Sequence, residues 1–387
     1  MPDLLFWCSI ALVMYAYVGY PCALLAIVLV RSRPVRKRAV TPLVSFIITV
    51  HNEETRIAAK IENTLGQDYP ADRLEILVAS DCSTDGTDAI VATFARRVRL
   101  VRALARGGKE AAQRLAIEAA RGEILVFSDV ATALEPGGIS AIVRNFADET
   151  VGCVSSVDRF INDAGRVSGE GAYVRYEMFL RRLESRVGSL VGLSGSFFAA
   201  RRDVCRRWAT DRQSDFSTLL NAVERGYRGV LDPESVGYYR DIDDKRREFQ
   251  RKVRTVTRGL AVLAAHARML NPLRHGLFAW QLASHKLCRW LVPFAMAGAL
   301  VSNIVLALSS GAYQVLLGAQ MLFYAAAVAG TRTGAVVLRI PAFLLVANLA
   351  VLTAWICFAG GQRFVAWTPS GRAAALPPVP APSKRFC

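Results

Sequence analysis

Acidic residues stand at the ends of apolar runs in the first third of the chain, where side chains are well placed for chemistry. Glu53, Asp81 and Asp129 each come within three residues of the end of such a run. Carboxylate oxygens are hard ligands that bind divalent cations, and they also accept protons as general bases. The spacing of these residues therefore indicates metal-assisted or acid–base chemistry, provided that the fold brings them together.

The elements that must position these carboxylates follow from the apolar pattern. Strands alternating with helices form right-handed β-α-β units and an open, mostly parallel sheet, in which ligands bind beyond the carboxyl ends of the strands. We therefore expect the three carboxylates to line one crevice. The alternative is that they cap helices, which is the interpretation we favour for Thr84 and Asp85. Strands are predicted over residues 43–50, 74–79, 98–103 and 123–127, and helices over 55–65, over 109–120 and from 84 onward.

Several common sites are excluded by their spacing. The first strand is followed by HNEETR, so the G-x-G-x-x-G of a dinucleotide site is missing. Gly108-Lys109 is followed by Glu110, so no P-loop is formed. The eight cysteines include no C-x-x-C pair, which argues against a zinc ribbon or a redox dithiol and suits a reducing compartment.

Composition indicates a membrane protein with a large water-soluble part. The 387 residues are 53% hydrophobic and carry a net charge of +16, with a mean hydropathy of +0.28, which excludes a mostly disordered chain. Residues 4–30 are uncharged and long enough to cross about 30 Å of hydrocarbon. A signal peptide would be shorter and would have its basic residues in front. The basic RSRPVRKR that follows predicts a cytosolic location for the next domain.

Three more apolar spans are predicted over residues 291–308, 313–329 and 340–359. The basic stretch before them, residues 240–290, is predicted to form helices at the membrane interface, with aromatic rings at headgroup depth. Because the basic clusters adjoin apolar spans, an anionic lipid surface is favoured over nucleic acid as their partner. The final residues, 368–387, are rich in Pro and Ala and are predicted to be disordered.

Short segments between Val44 and Arg258 resemble, in their order and spacing, the motifs of the family 2 glycosyltransferases. They read VSFIITVHNEE, ASDCSTDGT, GGKEAAQRLAIEAARGEILVFSD, GLSGSFFAARRDV, and SDFSTLL followed by ERGYR. The resemblance implies an α/β domain of the GT-A type that binds a nucleotide sugar and transfers the sugar with inversion. The apolar spans and YVRYEMFLRRLES are similar to the membrane-anchored bacterial branch that builds surface polysaccharides or glycolipids.

The resemblance also implies roles for residues that match the motifs. Asn52 and Glu53 would lie beside the base and ribose, and Asp81 would accept a hydrogen bond from uracil. Lys109 would lie near the nucleotide; the alternative is a solvated helix residue. Asp129 takes the first place of the D-x-D-type motif and would hold Mg²⁺ or Mn²⁺ against the diphosphate.

The same resemblance assigns the transfer step. Asp215 matches the acidic motif that supplies the general base, with a helix N-cap as the alternative. Ser194, Gly195 and Ser196 would lie under the donor sugar, where small residues allow close approach.

Three positions depart from the family's pattern. The third metal-motif residue is Ala131 rather than Asp or Asn, and the base motif reads Ser-Asp. The Q-x-x-R-W of processive synthases is not matched after Gln250. Arg251 and Arg254 are therefore predicted either to reach the diphosphate or to form a basic face toward lipid.

The resulting prediction is a bacterial inner-membrane glycosyltransferase with a cytosolic catalytic domain, which moves a sugar from a UDP-sugar to a lipid-linked or glycan acceptor. Its expected partners are membrane lipids and polysaccharide export or assembly subunits, and not nucleic acid. The alternatives are a processive polysaccharide synthase and a catalytically weak nucleotide-binding subunit. The predicted regions are an N-terminal span with its basic segment (1–39), a GT-A domain (40–240), interfacial helices (241–290), transmembrane helices (291–362) and a Pro/Ala-rich tail (363–387).

Overall fold

A computed structural model describes residues 1–161, 172–240, 244–333 and 335–362, and residues 364, 376, 377 and 379. The chain forms two compact units. We call Met1–Ala26 with Asp244–Arg363 the helical unit, and Ile27–Asp243 with Phe364–Cys387 the sheet unit.

The strands are β1 (Val44–Val50), β2 (Leu74–Ser80), β3 (Val98–Arg102), β4 (Ile124–Asp129), β5 (Ala133–Leu134), β6 (Val151–Ile161), β7 (Phe197–Arg201) and β8 (Arg228–Arg240). The helices are α1 (Pro2–Met14), α2 (Tyr20–Val30), α3 (Ile57–Leu65), α4 (Thr87–Thr93), α5 (Lys109–Ala119), α6 (Gly138–Val143), α7 (Ala172–Val187), α8 (Ser214–Glu224), α9 (Lys245–Ala265), α10 (Pro272–Leu282), α11 (Arg289–Ala307), α12 (Gly311–Thr333) and α13 (Arg339–Ala359).

The sheet has the strand order β3-β2-β1-β4-β7-β6-β8-β5. The first four strands are parallel, with β1 between β2 and β4, as the β-α-β pattern predicts. Strand β7 then runs antiparallel to β4 and to β6. The sheet is therefore mixed, and only its first half is the parallel sheet that the sequence indicates.

Both faces of the sheet are covered, which explains why β1 is apolar except at Ser45 and Thr49. Every residue of β1 is buried. Phe46 and Ile48 point into one hydrophobic cluster, together with Ile57 and Ile61 of α3. Ile47 points into the other cluster. Helices on both faces of parallel strands produce continuous apolar runs of this kind.

A piece of the C-terminal tail belongs to the sheet unit. Leu376 and Val379 pack against a small cluster that includes Val236 and Tyr238. At these two positions the tail is therefore packed, which differs from the disorder that its composition predicts. The rest of the tail lies outside the described residues, apart from positions 364 and 377.

The helical unit contains the apolar helices. Among the described residues, four helical segments are long and apolar enough to cross a membrane: Pro2–Val30, Pro272–Ala307, Gly311–Thr333 and Val336–Ala359. Helix α1 packs on α11, and α9 packs along α13. The structure has no helix end at residue 290, because α10 continues into α11.

Two of these segments contain a π-helical turn, and the two turns lie against each other. Tyr15–Gly19 joins α1 to α2, and Ala283–Cys288 joins α10 to α11. The Tyr15 hydroxyl lies 2.7 Å from Ser284 Oγ and accepts a hydrogen bond of 2.9 Å from Trp280 Nε1. These polar groups therefore satisfy one another between two apolar helices.

Candidate active site

The ends of β1 and β2 are held together by side-chain hydrogen bonds. Asn52 Oδ1 accepts a hydrogen bond of 2.8 Å from the Thr84 backbone N–H. Asn52 and Cys82 have φ of 53° and 54°, values that residues other than glycine seldom adopt. Such backbone strain is concentrated at ligand-binding sites, so its presence at two adjacent strand ends marks this edge of the sheet.

Asp81 is completely buried and supports the loop before α5. Its two carboxylate oxygens accept hydrogen bonds from the backbone N–H groups of Gly107 (2.8 Å) and Gly108 (2.9 Å). Gly108 has φ of 91°, so the turn relies on a residue without a Cβ. Asp81 thereby positions the start of α5. Its predicted contact with uracil remains a prediction.

Lys109, the next residue, reaches across to the end of β4. Its ammonium donates to Asp129 Oδ1 at 2.5 Å and to the Gly195 carbonyl oxygen at 3.0 Å. Burial acts to lower the pKa of Lys109, but the Asp129 carboxylate outweighs it and the pKa is raised. The side chain is therefore a fixed cation, and the alternative of a solvated helix residue does not apply.

Asp215 also lies close to Gly195. A Cβ at Gly195 would come within 3.1 Å of Asp215 Oδ2. The absence of a side chain at Gly195 therefore leaves room next to this carboxylate. Asp215 is in the first turn of α8, where its Oδ1 accepts from the Phe216 backbone N–H at 2.9 Å and its Oδ2 from Gln213 Nε2 at 3.0 Å. Asp81, Asp129 and Asp215 are thus linked through Gly108, Lys109 and Gly195.

Glu53 has a partner within its own loop. Its carboxylate accepts a hydrogen bond of 2.7 Å from Arg56 Nε, and both side chains are buried. Burial raises the pKa of Glu53, although Arg56 opposes the shift. The predicted contact of Glu53 with the nucleotide stays a prediction, and it would have to form while Glu53 is paired with Arg56.

A buried lysine that sequence analysis did not single out lies beneath the β4 end. Lys60 Nζ donates to Ser128 Oγ at 2.8 Å and to the Thr132 carbonyl at 2.6 Å, on either side of Asp129. Burial lowers its pKa to about 7, despite the attraction of Asp129. Lys is rarely buried unless it is paired. The one feature of the sequence that could have indicated this burial is the position of Lys60 among the apolar residues of α3.

Asp158 on β6 is a further carboxylate that the sequence did not reveal. Its Oδ1 accepts hydrogen bonds from the hydroxyls of Ser194 (2.6 Å) and Ser196 (2.8 Å). The Ser196 carbonyl in turn accepts from the Asp129 backbone N–H at 2.9 Å. Asp158 therefore contacts the same segment, Ser194–Ser196, that offers the Gly195 carbonyl to Lys109.

The residues present would offer a divalent cation a single carboxylate. Asp129 is a hard oxygen ligand, and Ala131 supplies no donor. Among the described residues, no three His, Cys, Asp or Glu side chains form a metal-binding group. Mg²⁺ and Mn²⁺ accept this arrangement when water and substrate phosphates complete their coordination. Such an ion fits if Lys109 releases Asp129.

The family follows from a match that covers most of the sheet unit. Residues 45–208 match the profile of Glycosyl transferase family 2. Residues 45–208 form a family 2 glycosyltransferase domain. This match contains β1 to β7 and every site residue above except Asp215, which lies seven residues beyond it.

Curated relatives match the glycosyltransferase domain over part of their length. A beta-monoglucosyldiacylglycerol synthase from Nostoc sp. is 27% identical over 204 residues, which is 49% of this chain and 43% of that protein. The succinoglycan biosynthesis protein ExoO from Rhizobium meliloti is 29% identical over 143 residues, 37% of this chain and 39% of that one. The chain thus spans less than half the length of these relatives.

A solved structure is similar to the whole chain. It is the mannosyltransferase PcManGT from Pyrobaculum calidifontis, in complex with GDP-Man and Mn²⁺. The TM-score is 0.72 at 23% identity, covering 93% of this chain and 100% of that one. The similarity confirms the predicted fold: a GT-A glycosyltransferase domain with apolar helices at both ends.

Arg251 and Arg254 lie outside the glycosyltransferase domain, on α9 of the helical unit. Arg251 forms two hydrogen bonds of 2.7 Å with Glu248. The charged neighbours of Arg254 are Arg258 and Arg251, and burial together with these two charges lowers its pKa. Their role at the diphosphate stays a prediction.

Proposed function

We propose that this protein transfers a sugar from a UDP-sugar to a lipid-linked or glycan acceptor, with inversion at the anomeric carbon. The observation that carries the proposal is the contact chain Lys109–Asp129–Gly195–Asp215 within a family 2 glycosyltransferase domain. It combines a fixed cation, a possible metal ligand and a second carboxylate around one glycine.

The two ends of this chain suit the two ends of the reaction. Lys109 and Asp129 would face the diphosphate, because an ammonium group stabilises phosphate charge. Asp215 would take the proton from the acceptor hydroxyl as its oxygen attacks the anomeric carbon. The bond to the diphosphate then breaks, and UDP leaves with the electron pair. A positioned base of this kind contributes roughly 10²–10⁴-fold.

Asp129 would hold a Mg²⁺ or Mn²⁺ ion that offsets the charge on the departing diphosphate. Lys109 would have to leave Asp129 for this, and the phosphates themselves offer it a new partner. Lys60 would keep the β4 end in place through Ser128 and Thr132.

Asn52, Glu53 and Asp81 complete the proposed donor site at the base and ribose. The strained backbone at Asn52 supports this assignment. The four apolar helical segments support a membrane location, with the inner membrane and a cytosolic glycosyltransferase domain as the specific proposal. A membrane-borne acceptor is consistent with the name of one relative, a beta-monoglucosyldiacylglycerol synthase.

The test is UDP release by the purified full-length protein with UDP-sugars, a lipid or glycan acceptor extract, and Mn²⁺ or Mg²⁺. Asp215→Asn should lower turnover at least about 10²-fold and leave UDP binding unchanged. Asp72→Asn is the matched control, because Asp72 is exposed on the same unit. Full turnover by Asp215→Asn would contradict the base assignment.

One observation favours a second candidate, a nucleotide-binding subunit with weak activity. The single metal-site carboxylate is already paired with Lys109 at 2.5 Å, and Ala131 offers no replacement. UDP binding without transfer, in the presence of polysaccharide assembly partners, would support this candidate over the transferase.

A further inference from the structure

Three carboxylates surround Ser194, Gly195 and Ser196, and they differ in what neutralises them. Asp129 is paired with the Lys109 ammonium at 2.5 Å. Asp158 is held by two neutral hydroxyls, those of Ser194 and Ser196, both on its Oδ1. Among the described residues, no lysine, arginine or histidine forms an ion pair with Asp158.

The second oxygen of Asp158 is available for a ligand. Within the described part of the chain, Oδ2 accepts no hydrogen bond, and the residue is only partly buried. A carboxylate oxygen without a cationic neighbour attracts neutral hydrogen-bond donors and repels anions. The chemistry that meets both conditions in a glycosyltransferase is a sugar hydroxyl.

Hydrogen bonds with buried side chains hold the segment that contacts Asp158. The Ser194 backbone N–H donates to Ser155 Oγ at 2.7 Å, and the Arg181 guanidinium holds the same Ser155 Oγ at 2.5 Å. The loop beside Asp158 is therefore held in position by the buried side chains of Ser155 and Arg181. The Gly195 carbonyl, between Ser194 and Ser196, accepts a hydrogen bond of 3.0 Å from Lys109, the cation proposed to face the diphosphate.

We infer that Asp158 binds hydroxyl groups of the transferred sugar and restricts the donor to neutral sugars, excluding uronic acids. This inference rests on the proposed function and deepens it by naming the donor class. A sugar carboxylate placed beside Asp158 would be repelled, whereas the hydroxyls of a neutral hexose would donate to Oδ2. Asp158 is thus a specificity-determining residue rather than the base.

The experiment compares UDP-glucose, UDP-glucuronic acid and UDP alone as ligands of the full-length protein, by titration calorimetry with Mn²⁺ present. The wild type should bind UDP-glucuronic acid at least about tenfold more weakly than UDP-glucose. Asp158→Asn keeps an oxygen for the two serine hydroxyls but removes the charge, so the two affinities should come within about threefold. Asp72→Asn should leave the wild-type ratio unchanged.

The outcomes distinguish a failure of the inference about Asp158 from a failure of the proposed function. Equal wild-type affinities for the two sugar nucleotides, or an unchanged ratio in Asp158→Asn, would overturn the inference and leave the proposed function standing. A purely structural role of Asp158 predicts that unchanged ratio. Failure to bind UDP and both sugar nucleotides would instead remove the proposed function, and the inference with it. If Asp158→Asn unfolds at a lower temperature than the wild type, Asp158→Ser provides the same comparison.

Discussion

In the sheet unit, several buried acidic side chains pair with lysine or arginine, whereas the helical unit has few acidic residues with which to pair its cations. Asp148 forms an ion pair of 3.1 Å with Arg228, and Asp232 one of 3.1 Å with Lys37. Burial alone would raise the pKa of Asp148, but hydrogen bonds from Thr150 and Arg228 are among those that lower it to about 2.

Between residues 249 and 359, the sequence holds no Asp or Glu and ten Lys and Arg. Arg254 shows the consequence, since the charges that act on it are those of Arg258 and Arg251. The difference indicates two uses of charge. Cations of the sheet unit form ion pairs within the fold, whereas those of the helical unit suit external anions such as phosphates and lipid headgroups.

The largest effect should come from breaking a buried pair in the sheet unit. Arg228→Gln leaves Asp148 buried without its cation, which typically costs about 3–5 kcal/mol of unfolding free energy. Arg121→Gln is the control, because the Arg121 side chain is 74% exposed and its pair with Glu75 is worth at most about 1 kcal/mol. Thermal unfolding of both variants in detergent would measure the difference. Equal shifts would show that burial does not set the value of these pairs.

The next effect concerns the pH dependence that Lys60 contributes. Its pKa is about 7 in the folded state and 10.5 as the ordinary value, so above pH 7 the unfolded state binds one more proton. Stability should therefore rise between pH 7 and 9, by about 1.4 kcal/mol per pH unit from this group. Lys60→Met removes the titrating group and should flatten that slope. Parallel slopes in the two proteins would mean that Lys60 stays protonated.

A smaller change is expected where a lysine of the sheet unit meets the proposed metal ligand. Lys109→Met removes the cation that competes for Asp129, so Mn²⁺ should bind about tenfold more tightly in the absence of nucleotide. Asp129→Asn should remove that binding. Water-proton relaxation with Mn²⁺ measures both, independently of turnover. Weaker Mn²⁺ binding by Lys109→Met would contradict the competition.

The smallest effect tests the helical unit. Arg254→Gln should weaken UDP binding about fivefold if Arg254 contacts the diphosphate, a modest loss typical of one charged contact. It should also cause no loss of thermal stability, since within the described part of the chain the charges that act on Arg254 are those of Arg258 and Arg251. Arg246→Gln on the exposed side of the same helix is the control. Unchanged UDP affinity with altered retention of anionic lipid would assign Arg254 to the membrane.

Prediction from sequence succeeded where local pattern and tertiary structure agree. Strands β1, β2 and β4 are mostly buried, so their apolar runs are recognisable, and the residues after them must lie at one edge. The later strands carry polar residues within them, such as Ser155 and Asp158 in β6 and Asp232 and Glu234 in β8. They obey no simple alternation, and the second half of the sheet, with its antiparallel pairs at β7 and β5, was therefore not predicted.

The side chains missed at the site share a physical cause. Lys60 is a charged residue buried inside a helix pattern, and its partners, Ser128 and Thr132, are about seventy residues away. Asp158 is recognisable only through two serines that follow it by 36 and 38 residues. Such contacts depend on long-range pairing of strands, which no local motif encodes.

The turn at Tyr15–Gly19 amounts to one extra residue in an otherwise α-helical rod. Because a π turn accommodates that residue within about one turn, removing a single amino acid there would restore regular α-helical winding and leave the preceding residues nearly in register. A deletion between Phe6 and this turn would instead rotate Phe6, which is buried beside Ala299, by about 100° about the helix axis. The first helix should consequently tolerate the loss of one residue within the π turn but not in the regular winding before it.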